Sequence, residues 1–119
     1  MVNNYMDDLL EQSLLFDFYG ELLTKHQKSI YEDFLLNDLS LSEIADEKGI
    51  TRQGVHDLVK RCNQTLHNYE DKLHLVERFI NAKEKIEKIH GLTTAFKGSR
   101  DLELIDEIEK ISEELLEEI

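Results

Sequence analysis

Along most of this chain apolar and polar residues recur with a period close to 3.6, the mark of amphipathic helices rather than strands. In the first segment Leu9, Leu10, Leu14, Phe18 and Leu22 keep that spacing, Asn4 stands where an N-cap belongs, and Gly20 lies near the end. Thr24 followed by Gln27 has the spacing of a capping box and opens a second helix with Ile30, Tyr31, Phe34 and Leu35 on one face, closed by Asn37 and Asp38. Ser40 and Glu43 repeat the capping-box spacing. The short helix they open turns Ile44 and Ala45 inward and stops at Gly49, after which Thr51 caps the next.

That next helix reads as long. Val55, Leu58, Val59, Cys62, Leu66, Tyr69, Leu73, Val76, Phe79 and Ile80 hold helical spacing with no breaker before Gly91, so its first half can serve one core and its second half another. Gly91 to Ser99, with two glycines and two threonines, predicts a loop, and Ser99 is placed to cap a last helix. There Leu104, Ile108, Ile111, Leu115 and Ile119 form a coiled-coil-like stripe against an acidic back. Such a stripe folds back on the segment Leu73 to Ile89 or pairs with another copy.

The pattern therefore predicts an all-α fold in a single domain, residues 1–119, with a core over 1–66 and a long-helix extension plus C-terminal helix over 67–119 that offers a dimerisation surface. The apolar area of those last helices exceeds what a two-layer monomer needs, which predicts a homodimer. No apolar run approaches the roughly 18 residues of a membrane span, and Met1 to Tyr5 lacks the layout of a signal peptide, so no membrane insertion and a cytoplasmic location are expected. The lone cysteine, Cys62, falls in an apolar helical pattern and is expected to be a buried, reduced thiol.

The most specific signal is LSLSEIADEKGITRQGVHDLVKR, Leu39 to Arg61. Two helices crossing at a tight turn need a small residue at the close approach, Ala45, and a glycine four residues later that accepts positive φ, Gly49. They also need apolar plugs in the angle between them, and Ile50, Val55 and Leu58 supply these. This is the spacing of a helix-turn-helix. Its second helix would then expose Arg52, Gln53, His56, Lys60 and Arg61. Arginine and glutamine at the start of such a helix suit base edges in a major groove, and Lys60 and Arg61 suit phosphates.

Charge complicates that reading. With 14 basic and 26 acidic side chains the net is −12, whereas nucleic-acid binders usually carry a basic footprint. The distribution is uneven: 3 basic and 11 acidic residues from Met1 to Ile50, 8 and 6 from Thr51 to His90, and 3 and 9 from Gly91 to Ile119. The candidate interface thus lies in the one segment of positive balance, although Asp57 sits on the same helix and would repel phosphate.

The stretch from Phe18 to Arg61 resembles the YlxM family of small bacterial proteins, most strongly in YGELLT (Tyr19 to Thr24), DLSLSEIA (Asp38 to Ala45) and TRQGVHDLVKR (Thr51 to Arg61). That family is in turn similar to the helix-turn-helix of sigma-factor region four. Where many relatives carry serine and alanine, this chain has Thr51 and Gly54. The resemblance implies a regulatory protein of the signal recognition particle pathway, with the particle's protein or RNA as partner, and it brings no established set of functional residues. Two classes of function follow: a nucleic-acid binder docking the Thr51 helix on DNA or on the particle's RNA, as a transcriptional regulator would on DNA, or a protein-interaction module using acidic surfaces against basic partners.

Catalysis is not expected, since the chain lacks a glycine-rich phosphate loop, a nucleophile elbow and a metalloprotease ligand pair. His67, Glu70 or Asp71, and His74 share roughly one helix face. Histidines on a wet helix seldom bind metal, so neither a metal nor any other cofactor is expected.

Overall fold

The computed structural model describes residues 5–119, and helices account for nearly all of them: α1 (Tyr5–Tyr19), a single 3-10 turn (Gly20–Leu22), α2 (Lys25–Leu35), α3 (Leu41–Lys48), α4 (Arg52–Leu73), α5 (Leu75–Ser99) and α6 (Leu102–Glu118). The cap expected at Asn4 lies outside the described residues. The all-α expectation holds. Among the described residues no helix is long and apolar enough to cross a membrane. The chain divides into two compact units at His74, the second running Leu75–Ile119, whereas the sequence pattern set its internal boundary after Leu66.

In the first unit α4 packs against α1, α2 and α3. The buried side chains are Leu15, Phe16, Tyr19, Leu23, Ile30, Tyr31, Ile44, Ala45, Val55, Val59, Cys62 and Leu66. Capping boxes at Thr24–Gln27 and Ser40–Glu43 are both formed, each with its two reciprocal bonds, and a cap of this kind stabilises a helix by about 1 kcal/mol. Phe16 and Tyr31 meet ring to ring at 5.3 Å, and the Tyr31 hydroxyl donates to Asn63 Oδ1. Lys48 Nζ donates to Ser29 Oγ at 2.9 Å, tying α3 to α2.

The inward face of α1 differs from the expected one. Leu10, Phe18 and Leu22 are exposed, and Leu15, Phe16, Tyr19 and Leu23 are buried instead. The run LLFDFYGELL is apolar nearly all round, so two stripes one position apart fit it equally well; the choice falls to α4, whose Tyr69 ring stacks on Tyr19 at 5.9 Å. Gly20 admits this packing, because a Cβ there would stand 2.9 Å from the Phe16 ring.

Two further expectations are corrected. The long helix from Thr51 to Gly91 is broken at His74, which takes a left-handed conformation (φ 56°) and ends α4 with its N–H bonded to the Glu70 carbonyl. Conversely, Gly91 to Ser99 is helix rather than loop. Its glycines have open space on their Cβ side, the Thr93 and Thr94 hydroxyls donate back to the His90 carbonyl, and Leu92 and Phe96 keep the half-buried spacing begun at Ala82 and Ile89. Arg100 then turns left-handed (φ 58°), and Asp101, not Ser99, caps α6 by accepting from the Glu103 N–H at 3.0 Å.

The second unit is an antiparallel hairpin of α5 and α6. Ile111 is buried and Leu104, Ile108 and Leu115 are half-buried, facing α5 at the a and d spacing of a two-helix seam. Ion pairs from Lys85 to Glu114 (3.8 Å) and Glu118 fix the antiparallel sense, joining the middle of α5 to the end of α6. These carboxylates hold the lysine above its ordinary pKa, the Glu118 hydrogen bond foremost.

Candidate nucleic-acid interface

The turn between α3 and α4 is built from three residues. Gly49 adopts φ 70° and ψ 30°, a left-handed conformation that a residue with a Cβ enters only at a cost. It reverses the chain, and the N–H groups of both Gly49 and Ile50 reach the Ala45 carbonyl, closing the end of α3. Thr51 then turns its hydroxyl to accept from the Gly54 N–H at 2.9 Å and starts α4. Ala45 and Val55 are buried on either side of the turn, with Ile50 and Leu58 half-buried beside them. The geometry is that of a helix-turn-helix.

Burying Val55, Val59, Cys62 and Leu66 fixes the rotation of α4, and Arg52, Gln53, His56, Lys60 and Arg61 are all exposed as a result. Not all five converge. Arg52, Gln53 and His56, with Leu41 from α3, line one open surface recess of about 480 Å³. Lys60 follows one turn along the same face; Arg61, about 100° further round the helix, sits at its edge. Leu41 is the member of this group the sequence did not single out: as the first residue of α3 it carries no periodic signal, and only the crossing of the two helices brings it beside Arg52.

The electrostatics are mixed. Arg52 stands at the start of α4, where the helix dipole disfavours a cation, so its placement adds nothing to helix stability. Among the described residues Arg52, Lys60 and Arg61 have no carboxylate within ion-pair distance, although acids outnumber bases. Asp57 is engaged within the surface: its Oδ1 accepts from Gln53 Nε2 at 3.0 Å and lies 3.5 Å from His56 Nδ1. It thereby orients two of the recess side chains while contributing the wrong sign for phosphate.

Elsewhere on α4, two of the residues with metal-like spacing have other contacts. Glu70 accepts the Tyr19 hydroxyl at 2.6 Å, and His67 Nδ1 lies 4.0 Å from Glu11. Cys62 is buried as the sequence predicts, and burial pushes its thiol pKa up, which keeps it neutral.

Fold and turn together define a helix-turn-helix protein. Its family is equally plain: residues 6–108 match the model of a family described as "Putative helix-turn-helix protein, YlxM / p13 like", and the chain belongs to this family, UPF0122. It is 44% identical over 112 residues to a UPF0122 protein of Thermoanaerobacter sp. (strain X514), covering 93% of this chain and 96% of that one. A UPF0122 protein of Caldanaerobacter subterraneus subsp. tengcongensis is 51% identical over 83 residues (70% and 71% of the two chains). One of Clostridium acetobutylicum is 39% identical over 109 residues (88% and 94%). The family is described by its helix-turn-helix and not by an enzymatic activity.

Proposed function

We propose that this protein is a non-enzymatic regulator of the signal recognition particle pathway that works by docking the N-terminal half of α4 on a nucleic acid, the particle's RNA being the first candidate. The observation that carries the reading is the shared surface of Arg52, Gln53 and His56 around one recess at the helix-turn-helix, continued by Lys60. Arginine and glutamine supply directional donors for base edges, Lys60 and Arg61 supply charge for phosphates, and Leu41 offers an apolar wall against which a base or sugar can rest. The pathway itself is suggested by the resemblance to the YlxM proteins. A DNA-binding transcriptional regulator would use the same residues.

A second reading is favoured by the net charge of −12, which suits a protein module that binds a basic partner such as the particle's protein component. One experiment separates the two. Labelled protein is titrated with the particle's RNA, its protein component and double-stranded DNA, each over a range of salt. Docking through α4 predicts a log–log salt dependence whose slope falls by about 1 in Lys60→Glu, with affinity for the nucleic acid down about 10-fold. Binding confined to the protein component and unaltered by Lys60→Glu would overturn the first reading in favour of the second.

A further inference from the structure

The apolar surface of α6 is wider than its contact with α5 requires. Leu104, Ile108, Ile111 and Leu115 face α5, yet Leu102, Ile105 and Leu116 are also apolar and stand 72%, 39% and 72% exposed. At about 100° per residue these two sets fill adjoining arcs, so the apolar side of α6 spans roughly half the helix, well beyond the stripe one neighbour covers. The acidic residues Glu103, Asp106, Glu107, Glu113, Glu117 and Glu118 occupy the other half.

The hairpin has two sides, and they are unlike. On one, Lys85 closes the seam by pairing with Glu114 and Glu118. On the opposite side the antiparallel sense brings Ile86 of α5, 57% exposed, level with Leu116, with Ile105 further along. This side gathers the exposed apolar residues of both helices, Leu102 and Leu116 standing at its α6 margin with Glu109 between them. Its two edges carry opposite charge: Lys83, His90 and Lys97 project along the α5 edge, interrupted by Glu87, and Asp106, Glu109 and Glu113 along the α6 edge.

We infer that this face is covered by the same face of a second copy, forming a four-helix bundle in which α5 of each protomer lies against α6 of its partner. The occupant follows from the edges. A twofold axis parallel to the helices places the basic α5 edge of one protomer on the acidic α6 edge of the other at both margins, so one surface is complementary to itself, as an isologous interface requires. The alternative pairing, α5 on α5 and α6 on α6, would set acid against acid along the α6 margin. The inference concerns the second unit alone and stands whatever the first unit binds.

The test uses the full chain in analytical ultracentrifugation across nanomolar to tens of micromolar concentrations. A monomer–dimer equilibrium is expected, with Leu116→Glu raising the dissociation constant about 100-fold or more while helix content and the urea midpoint of the monomer are retained. The pairing is read from two charge-reversed variants, Lys83→Glu/Lys97→Glu and Glu109→Lys/Glu113→Lys. Each alone sets like charges at both margins and dimerises more weakly, whereas an equimolar mixture restores both margins and gives a mixed dimer tighter than either. A monomer throughout the range, a dimer indifferent to Leu116→Glu, charge-reversed variants that each dimerise no more weakly than the native chain (the result α5-on-α5 pairing predicts), or a mixture no tighter than its components would each overturn the inference.

Discussion

Replacing Gly49 by alanine isolates the cost of the turn that makes the helix-turn-helix. A Cβ at this position would meet nothing within 4 Å, so steric crowding contributes nothing and the penalty is that of the backbone alone. Holding an L-residue at φ 70° costs roughly 1–2 kcal/mol. Alanine also narrows the unfolded ensemble, which restores about 0.4–1 kcal/mol at positions it can occupy without strain. The net expectation is a loss of about 1 kcal/mol for Gly49→Ala, less for Gly49→Asn, whose side chain tolerates the left-handed region, and about 2 kcal/mol for the β-branched Gly49→Val. All four tyrosines lie before His74 and the chain has no tryptophan, so tyrosine emission in urea reports the first unit alone. With a slope near 1 kcal/mol per molar, the alanine variant should unfold about 1 M earlier. Midpoints for Ala, Asn and Val indistinguishable from the native one would mean that Gly49 does not hold the left-handed turn, and the assignment of α3 and α4 as a helix-turn-helix would lose its physical basis.

Two other expectations follow from single groups. Burial pushes the Tyr31 hydroxyl pKa up to about 12, with a smaller contribution from Cys62. The unfolded chain therefore loses this proton first, so the contribution is complete below about pH 10 and is lost as the pH rises toward 12, amounting to about 2–3 kcal/mol in all. Native and Tyr31→Phe proteins should diverge in their stability profiles over that window, and parallel profiles would contradict the burial argument. Asp57→Asn removes the one negative charge among the α4 cations and loosens the hold on Gln53 and His56. Affinity for nucleic acid should rise about 3-fold or more at low salt, the gain shrinking as salt screens it, and a fall would show instead that orienting Gln53 and His56 outweighs repulsion.

The parts of the fold legible in the sequence are those set by local chemistry. Capping boxes at Thr24 and Ser40, the left-handed Gly49 and the Thr51 cap all lie where their residue types put them. The breaks at His74 and Arg100 were hidden because each helix ends on a left-handed residue that is not glycine, and histidine and arginine give no stop signal. The reverse error, reading Gly91 to Ser99 as a loop, has the same root. Glycine and threonine weaken a helix by about 1 kcal/mol or less each, and tertiary packing of Leu92 and Phe96 exceeds that. In α1 the ambiguity lay in hydrophobicity itself, since a run apolar on every side carries no direction. Of the candidate interface, the exposure of all five polar residues was readable from the α4 periodicity. Their grouping was not, because which of them meet Leu41 depends on the crossing of α3 over α4.

Charge and interface bear on each other in a way neither shows alone. From Arg52 to Arg61, α4 carries three basic residues and one acidic in a chain whose net is −12. Non-specific affinity for nucleic acid comes almost wholly from neutralised phosphates, and three cations beside a strongly acidic body supply little of it. In the proposed docking, affinity must then come from short-range contacts by Arg52 and Gln53, which act only on a matching sequence or shape. An acidic body penalises every nucleic acid nearly alike, whereas the recess distinguishes among them. The ratio of specific to non-specific binding should therefore be high even where absolute affinity is modest. For a protein with only a few cations to offer, repulsion of the wrong partner does as much for selectivity as attraction of the right one.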